Sequence, residues 1–111
     1  MIQDKSGSYI QQIRSLISSE NVAFKKHSVL RIRQRNITVN EFKEAMLNGE
    51  IVECYENDYP LPSALILGFT SSRKPLHAVV VLDQDSEFLW IITLYEPSIE
   101  LWGEKYKNRR S

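Results

Sequence analysis

At 111 residues the chain has the length of one domain, and folding removes roughly 65% of the unfolded surface at this size, enough for a core without staples. A hydrophobic content of 42% against 25% charged residues excludes a disordered or fibrous chain. One cysteine, Cys54, and two histidines exclude an internal disulfide and an ordinary Cys/His zinc site within one chain, and the formal net charge is zero.

The first predicted element is a helix opening at Ser8, where Ser8 and Gln11 are spaced as a capping box. Tyr9, Ile10, Ile13, Leu16 and Ile17 follow at helical spacing and form an apolar stripe that must pack on the protein or on a second copy. Ser18 to Asn21 ends it. A second helix is predicted over about Phe24 to Gln34, with Asn36 as a left-handed terminator. Thr38 and Glu41 make a stronger capping box for a third helix, whose face is Val39, Phe42, Ala45 and Met46 and which Gly49 closes.

From residue 50 the period becomes that of strands. Glu50 to Glu56 reads as a half-exposed strand. Ala64 to Thr70 reads as a second, with Gly68 as a bulge position. Leu76 to Leu82, β-branched and almost wholly apolar, reads as a central strand, and Phe88 to Tyr95 as the fourth. The short turns between the last three predict an antiparallel meander. The expected class is α+β, with N-terminal helices packed on a four-stranded antiparallel sheet in chain order. Met1 to Lys5 lacks the layout of a signal peptide, and the longest apolar stretches, such as Ala78 to Leu82, are far short of a spanning helix. A cytoplasmic protein with no membrane partner is expected.

Charge is unevenly placed. Residues 1–40 hold seven Lys/Arg against two Asp/Glu, residues 41–100 three against eleven, and residues 101–111 four against one. Either these are solvated faces, or a basic surface attracts phosphates while an acidic one attracts a basic partner. The basic segment contains Lys25, Lys26, His27, Arg31, Arg33 and Arg35 with no acid from Asn21 to Asn40. On a helix, His27, Arg31 and Arg35 follow at i, i+4 and i+8, spread over about 80° of the circumference. Like charges so placed repel, and the arrangement suits an anion; the other reading is a basic helix paired with the acidic strands of its own sheet.

His77 shares one strand face with Val79 and Val81. It is either a buried neutral ring or a site residue, and its place beside a turn favours access. Thr93 and Tyr95 share a face of the last strand, where a tyrosine can donate a proton, stack on a base, or simply fill the core with its hydroxyl at the rim. No cofactor is implied and no residues have the spacing of a metal loop.

Several segments are familiar together: His27-x3-Arg31-x3-Arg35-Asn36-Ile37; Glu41 and Ala45; Asn48-Gly49-Glu50-Ile51-Val52-Glu53 and Tyr55; Pro62-Ser63-x-Leu65-x-Leu67-Gly68; Pro75-Leu76-His77-Ala78-Val79; and Ile92-Thr93-x-Tyr95-x-Pro97. They resemble the bacterial and archaeal domain-of-unknown-function family 4258 over about Phe24 to Trp102. Residues 1–111 then form one domain, with 1–21 as a helical extension, 22–102 as the family-like core and 103–111 as a basic tail. Where that family has glycine after Arg35, this chain has Asn36, which tolerates the same left-handed turn.

The family is similar to RelE-like toxins, a group of metal-independent ribonucleases often encoded beside a zinc-finger, helix-turn-helix antitoxin. The resemblance therefore implies a toxin-like endoribonuclease (mRNA interferase-like) with RNA and such an antitoxin as partners; a homodimer is left open. In that reading His27, Arg31, Arg35, His77 and Tyr95 are catalytic. The histidines serve as base and acid and the arginines hold the phosphate, because arginine is too basic to take a proton. Lys25, Lys26, Arg33, Thr93, Arg109 and Arg110 would bind RNA. The alternative is a non-catalytic interaction module whose acidic sheet edge binds a small basic partner. Convergence of the site residues on one pocket distinguishes the two.

Overall fold

A computed structural model of the chain describes residues 5–26, 35–55, 57, 61–83, 87–98 and 103. In chain order the elements are α1 (Lys5–Ser18), β1 (Val22–Phe24), α2 (Val39–Leu47), β2 (Glu50–Tyr55), β3 (Ser63–Phe69), β4 (Pro75–Asp83) and β5 (Phe88–Tyr95). The α+β class is as expected, but the sheet has five strands, in the order β1-β5-β4-β3-β2. The four-stranded antiparallel expectation is corrected by β1. This three-residue edge strand pairs parallel to β5, Val22 with Leu89 and Phe24 with Ile91. Phe24 therefore belongs to a strand and does not begin a helix; Lys25 is not helical, Lys26 is, and residues 27–34 of the predicted second helix lie outside the described residues. The β2–β3–β4–β5 meander is antiparallel, with β4 internal.

Helices α1 and α2 cover one sheet face. Ile13 and Ile17 of α1 and Phe42, Ala45 and Met46 of α2 are buried against Ala64, Ile66, Leu76, Ala78, Val80, Leu89, Ile91 and Leu94. Ile10 and Leu16 pack on the rim of this core, so the α1 stripe is placed as its spacing predicts; Tyr9 lies outside the described side chains. Helix α1 already runs at Ser8, so Ser8 is an interior position and not a cap. Polar ties also join this segment to the remainder: Arg14 donates from Nη2 to the Gly49 carbonyl at 2.7 Å, and Lys43 meets Glu20 at 2.6 Å.

Two glycines set how closely α2 lies on the sheet. A Cβ on Gly49 would come within 2.7 Å of the Ile66 γ2 methyl, and a Cβ on Gly68 would fall inside the Ala45 backbone. Gly68 is thus required by close packing. It pairs regularly with Leu76, which corrects its reading as a bulge. The Asn48 side-chain amide also grips both backbone groups of Phe69, at 3.2 and 3.3 Å, as a partner strand would.

The start of α2 is fixed by the expected capping box. The Glu41 N–H donates to Thr38 Oγ1 at 3.0 Å, and the Thr38 N–H donates to Glu41 Oε1 at 2.9 Å. Asn36 is left-handed at φ 56°. The Thr38 N–H holds the Glu41 carboxyl below the usual carboxylate range; burial opposes this and the Lys74 ammonium, at 3.5 Å, assists. A depressed folded-state value means that this contribution is present above the unfolded carboxylate range and is lost as pH falls through the folded value. Thr38→Ala is expected to cost about 1 kcal/mol at neutral pH. Glu41→Gln is expected to flatten the acid limb of stability against pH. Urea titrations at neutral and acidic pH measure both; an unchanged acid limb in Glu41→Gln contradicts the assignment.

Candidate functional site

Alternation along the strands puts a second set of side chains on the face away from α1 and α2. His77 and Val79 of β4 pair with Tyr95 and Thr93 of β5, and Val81 pairs with Trp90. Strict period two would send Trp90 and Tyr95, five residues apart, to opposite faces. They share a face because β5 bulges. Val79 pairs with Thr93 while Val80 pairs with Ile91, which leaves Ile92 as the additional residue.

Three of the expected site residues meet here. The Arg35 guanidinium stands 5.8 Å from the centroid of the Tyr95 ring and donates from Nη1 to the Leu94 carbonyl at 2.6 Å. That bond anchors the turn ending at Asn36 to the last strand. The Tyr95 hydroxyl lies 3.1 Å from His77 Nδ1, and the two rings are edge to face at 5.3 Å and 74°. The tautomer of His77 decides which partner donates. Arg35 and Tyr95 are each half-buried, whereas His77 is 0% exposed. Proximity to a turn does not give His77 access to solvent. Among the described residues, the half-buried Tyr95 links its Nδ1 toward the surface.

The remaining expected residues divide by position. Thr93 is half-buried on the same face, and Lys25 and Lys26 are exposed beyond β1. His27, Arg31, Arg33, Arg109 and Arg110 lie outside the described residues. The Lys25 ammonium lies 5.0 Å from the Trp90 ring centroid. Trp90 was not among the expected site residues. The bulge that turns it to this face occurs at Ile92, with no glycine or proline to mark it.

The far side of this face is acidic. Glu50 and Glu53 of β2 pair with Leu67 and Leu65, both fully buried, and Glu53 accepts a hydrogen bond from the Tyr55 hydroxyl. The face thus grades from cationic and aromatic at β5, through apolar β4 and β3, to acidic at the β2 edge. Among the described residues no three His, Cys, Asp or Glu side chains converge as a metal site, and no helix is long and apolar enough to cross a membrane.

Comparisons with curated proteins and with solved structures find no match. A family model does match, and its span of residues 24–96 starts at Phe24, the last residue of β1, and takes in α2, the antiparallel meander and the Arg35–Tyr95–His77 group while leaving α1 outside. On that match the chain belongs to the family described as Domain of unknown function (DUF4258).

Proposed function

We propose that the chain is a metal-independent endoribonuclease of the RelE-like toxin kind, acting on RNA in the cytoplasm and held in check by a zinc-finger, helix-turn-helix antitoxin. The observation that carries this reading is the convergence of the Arg35 guanidinium, the Tyr95 hydroxyl and the His77 imidazole on one sheet face. In the reaction the 2′-oxygen attacks the adjacent phosphorus. The O2′–P bond forms and the P–O5′ bond breaks. A proton leaves O2′ and one arrives at O5′, so no water is consumed. Arg35, permanently charged and half-exposed, suits the charge that develops on the non-bridging oxygens. The Tyr95 hydroxyl is the group presented to a proton in flight, and His77 behind it can take or return that proton. His77 is therefore a positioning and relay residue, while Arg35 and Tyr95 touch the substrate. His27 and Arg31 join this reading from the sequence alone.

The full burial of His77 also favours the second reading, a non-catalytic interaction module, in which the His77–Tyr95 pair is structural and the Glu50 and Glu53 edge of β2 receives a basic partner. Incubation of the purified chain with single-stranded RNA and a chelator separates the two. Cleavage yielding 2′,3′-cyclic phosphate and 5′-hydroxyl ends is expected, and Arg35→Ala is expected to slow it about a hundredfold or more. No cleavage by the parent chain, or equal cleavage by the variant, rejects the ribonuclease reading.

A further inference from the structure

The β5 bulge produces a feature that extends beyond the proposed catalytic group. Two aromatic rings on one sheet face each have a cation nearby: Lys25 at 5.0 Å from the Trp90 centroid and Arg35 at 5.8 Å from the Tyr95 centroid. Trp90 is half-buried and Lys25 is exposed, so ring and ammonium both border solvent. Thr93 lies between the two pairs on the same face. Five residues of strand separate the rings by roughly 15 Å. A ligand that touches both must be extended, with planar groups and negative charge alternating along it.

We propose that Trp90 and Lys25 form a nucleotide subsite for single-stranded RNA, in which a base stacks on the indole and the ammonium moves from the ring to the neighbouring phosphate. The proposal rests on reading this face as an RNA-processing surface, and it adds the substrate's form and direction: an unpaired strand lying along β5 from the Trp90 subsite to Arg35. Stacking is the reason to choose nucleic acid over an acidic protein. Carboxylates would satisfy the two cations but would make no use of two half-exposed rings, whereas every base has a face to stack. A duplex hides those faces, so the unpaired strand is selected.

The test uses the full chain carrying Trp102→Phe, which leaves Trp90 as the sole indole. The probe is a 2′-O-methyl oligoadenylate, which binds as single-stranded RNA does but lacks a free 2′-hydroxyl and is not cleaved. Saturable quenching of Trp90 emission is expected. With a labelled probe, Trp90→Ala should weaken binding about tenfold or more while Trp90→Phe retains most of it. Lys25→Gln, at an exposed position, should weaken it several-fold and reduce the salt slope by about one. Unchanged emission at saturation, equal affinities for Trp90→Ala and the parent, or equal competition by polyglutamate overturns the subsite. Should the parent chain cleave RNA with Trp90 emission unmoved, the subsite fails and the ribonuclease stands. Should the probe quench with Lys25 dependence but no RNA be cut, the subsite stands and the catalytic reading fails.

Discussion

Gly68→Ala is expected to leave the chain largely unfolded, or destabilised by more than about 3 kcal/mol, which is beyond the usual cost of one added methyl in a core. The reason is what the methyl meets. Its nearest neighbours are the carbonyl oxygen, carbonyl carbon and Cα of Ala45, all backbone of α2. A flexible side chain could swing aside; a helix backbone cannot without moving the helix. Helix α2 is held at its start by the Thr38–Glu41 box, at its end by Asn48 on Phe69, and along its length by buried Phe42, Ala45 and Met46. Lifting it would open the main core. Gly49→Ala supplies the comparison. There the first obstacle is the Ile66 γ2 methyl at 2.7 Å, followed by two carbonyl oxygens at 3.2 and 3.3 Å. Small shifts relieve much of that overlap, and a cost of about 1–3 kcal/mol is expected. Denaturant titration of both variants checks the order; Gly68→Ala proving the milder would contradict the packing account.

These glycines also show where the sequence is readable. Local chemistry reads well. The Thr38–Glu41 box, the left-handed Asn36 and the apolar run that makes β4 an internal strand each depend on a few adjacent residues, and the structure has them as expected. What depends on distant partners reads poorly. Gly68 has the local signature of a strand irregularity, yet its role is set by Ala45, twenty-three positions earlier. Strand β1 is three residues long, too short for alternation to register, and it exists because the β5 edge offers a parallel partner. Its presence changes the sheet from antiparallel to mixed.

The candidate site divides in the same way. Period two correctly groups His77 with Val79 and Val81, and Thr93 with Tyr95, because each pair or trio lies on one regular stretch. It misplaces Trp90 because one additional residue at Ile92 reverses the count. A place beside a turn predicts access for His77, but exposure is a property of the folded surface, and His77 has none. Spacing groups Arg35 with His27 and Arg31, which lie outside the described residues; the structure ties its guanidinium to Leu94 and sets it over Tyr95, a relation across 59 and 60 positions that no local pattern contains.

Tyr95→Phe is expected to reduce RNA cleavage about 10²–10⁴-fold, the range over which a positioned proton donor or acceptor contributes. The ring stays, so packing beneath Arg35 is retained and the change isolates the hydroxyl. A stability cost of about 1–3 kcal/mol is expected alongside, because the variant removes the group that His77 Nδ1 meets at 3.1 Å inside the protein. The two effects are separated by measuring cleavage well below the unfolding transition. His77→Gln keeps a polar side chain in the same place but cannot exchange a proton near neutral pH, and it should slow cleavage while leaving RNA binding intact. If tyrosine and histidine form one relay, the double variant should be scarcely slower than Tyr95→Phe, because breaking either link already disables the path. If the pair is structural, both variants lose stability in a coupled way while the folded fraction binds and cuts as the parent does. Full cleavage by folded Tyr95→Phe would remove the tyrosine from the chemistry, and with it the route by which a buried histidine reaches the substrate.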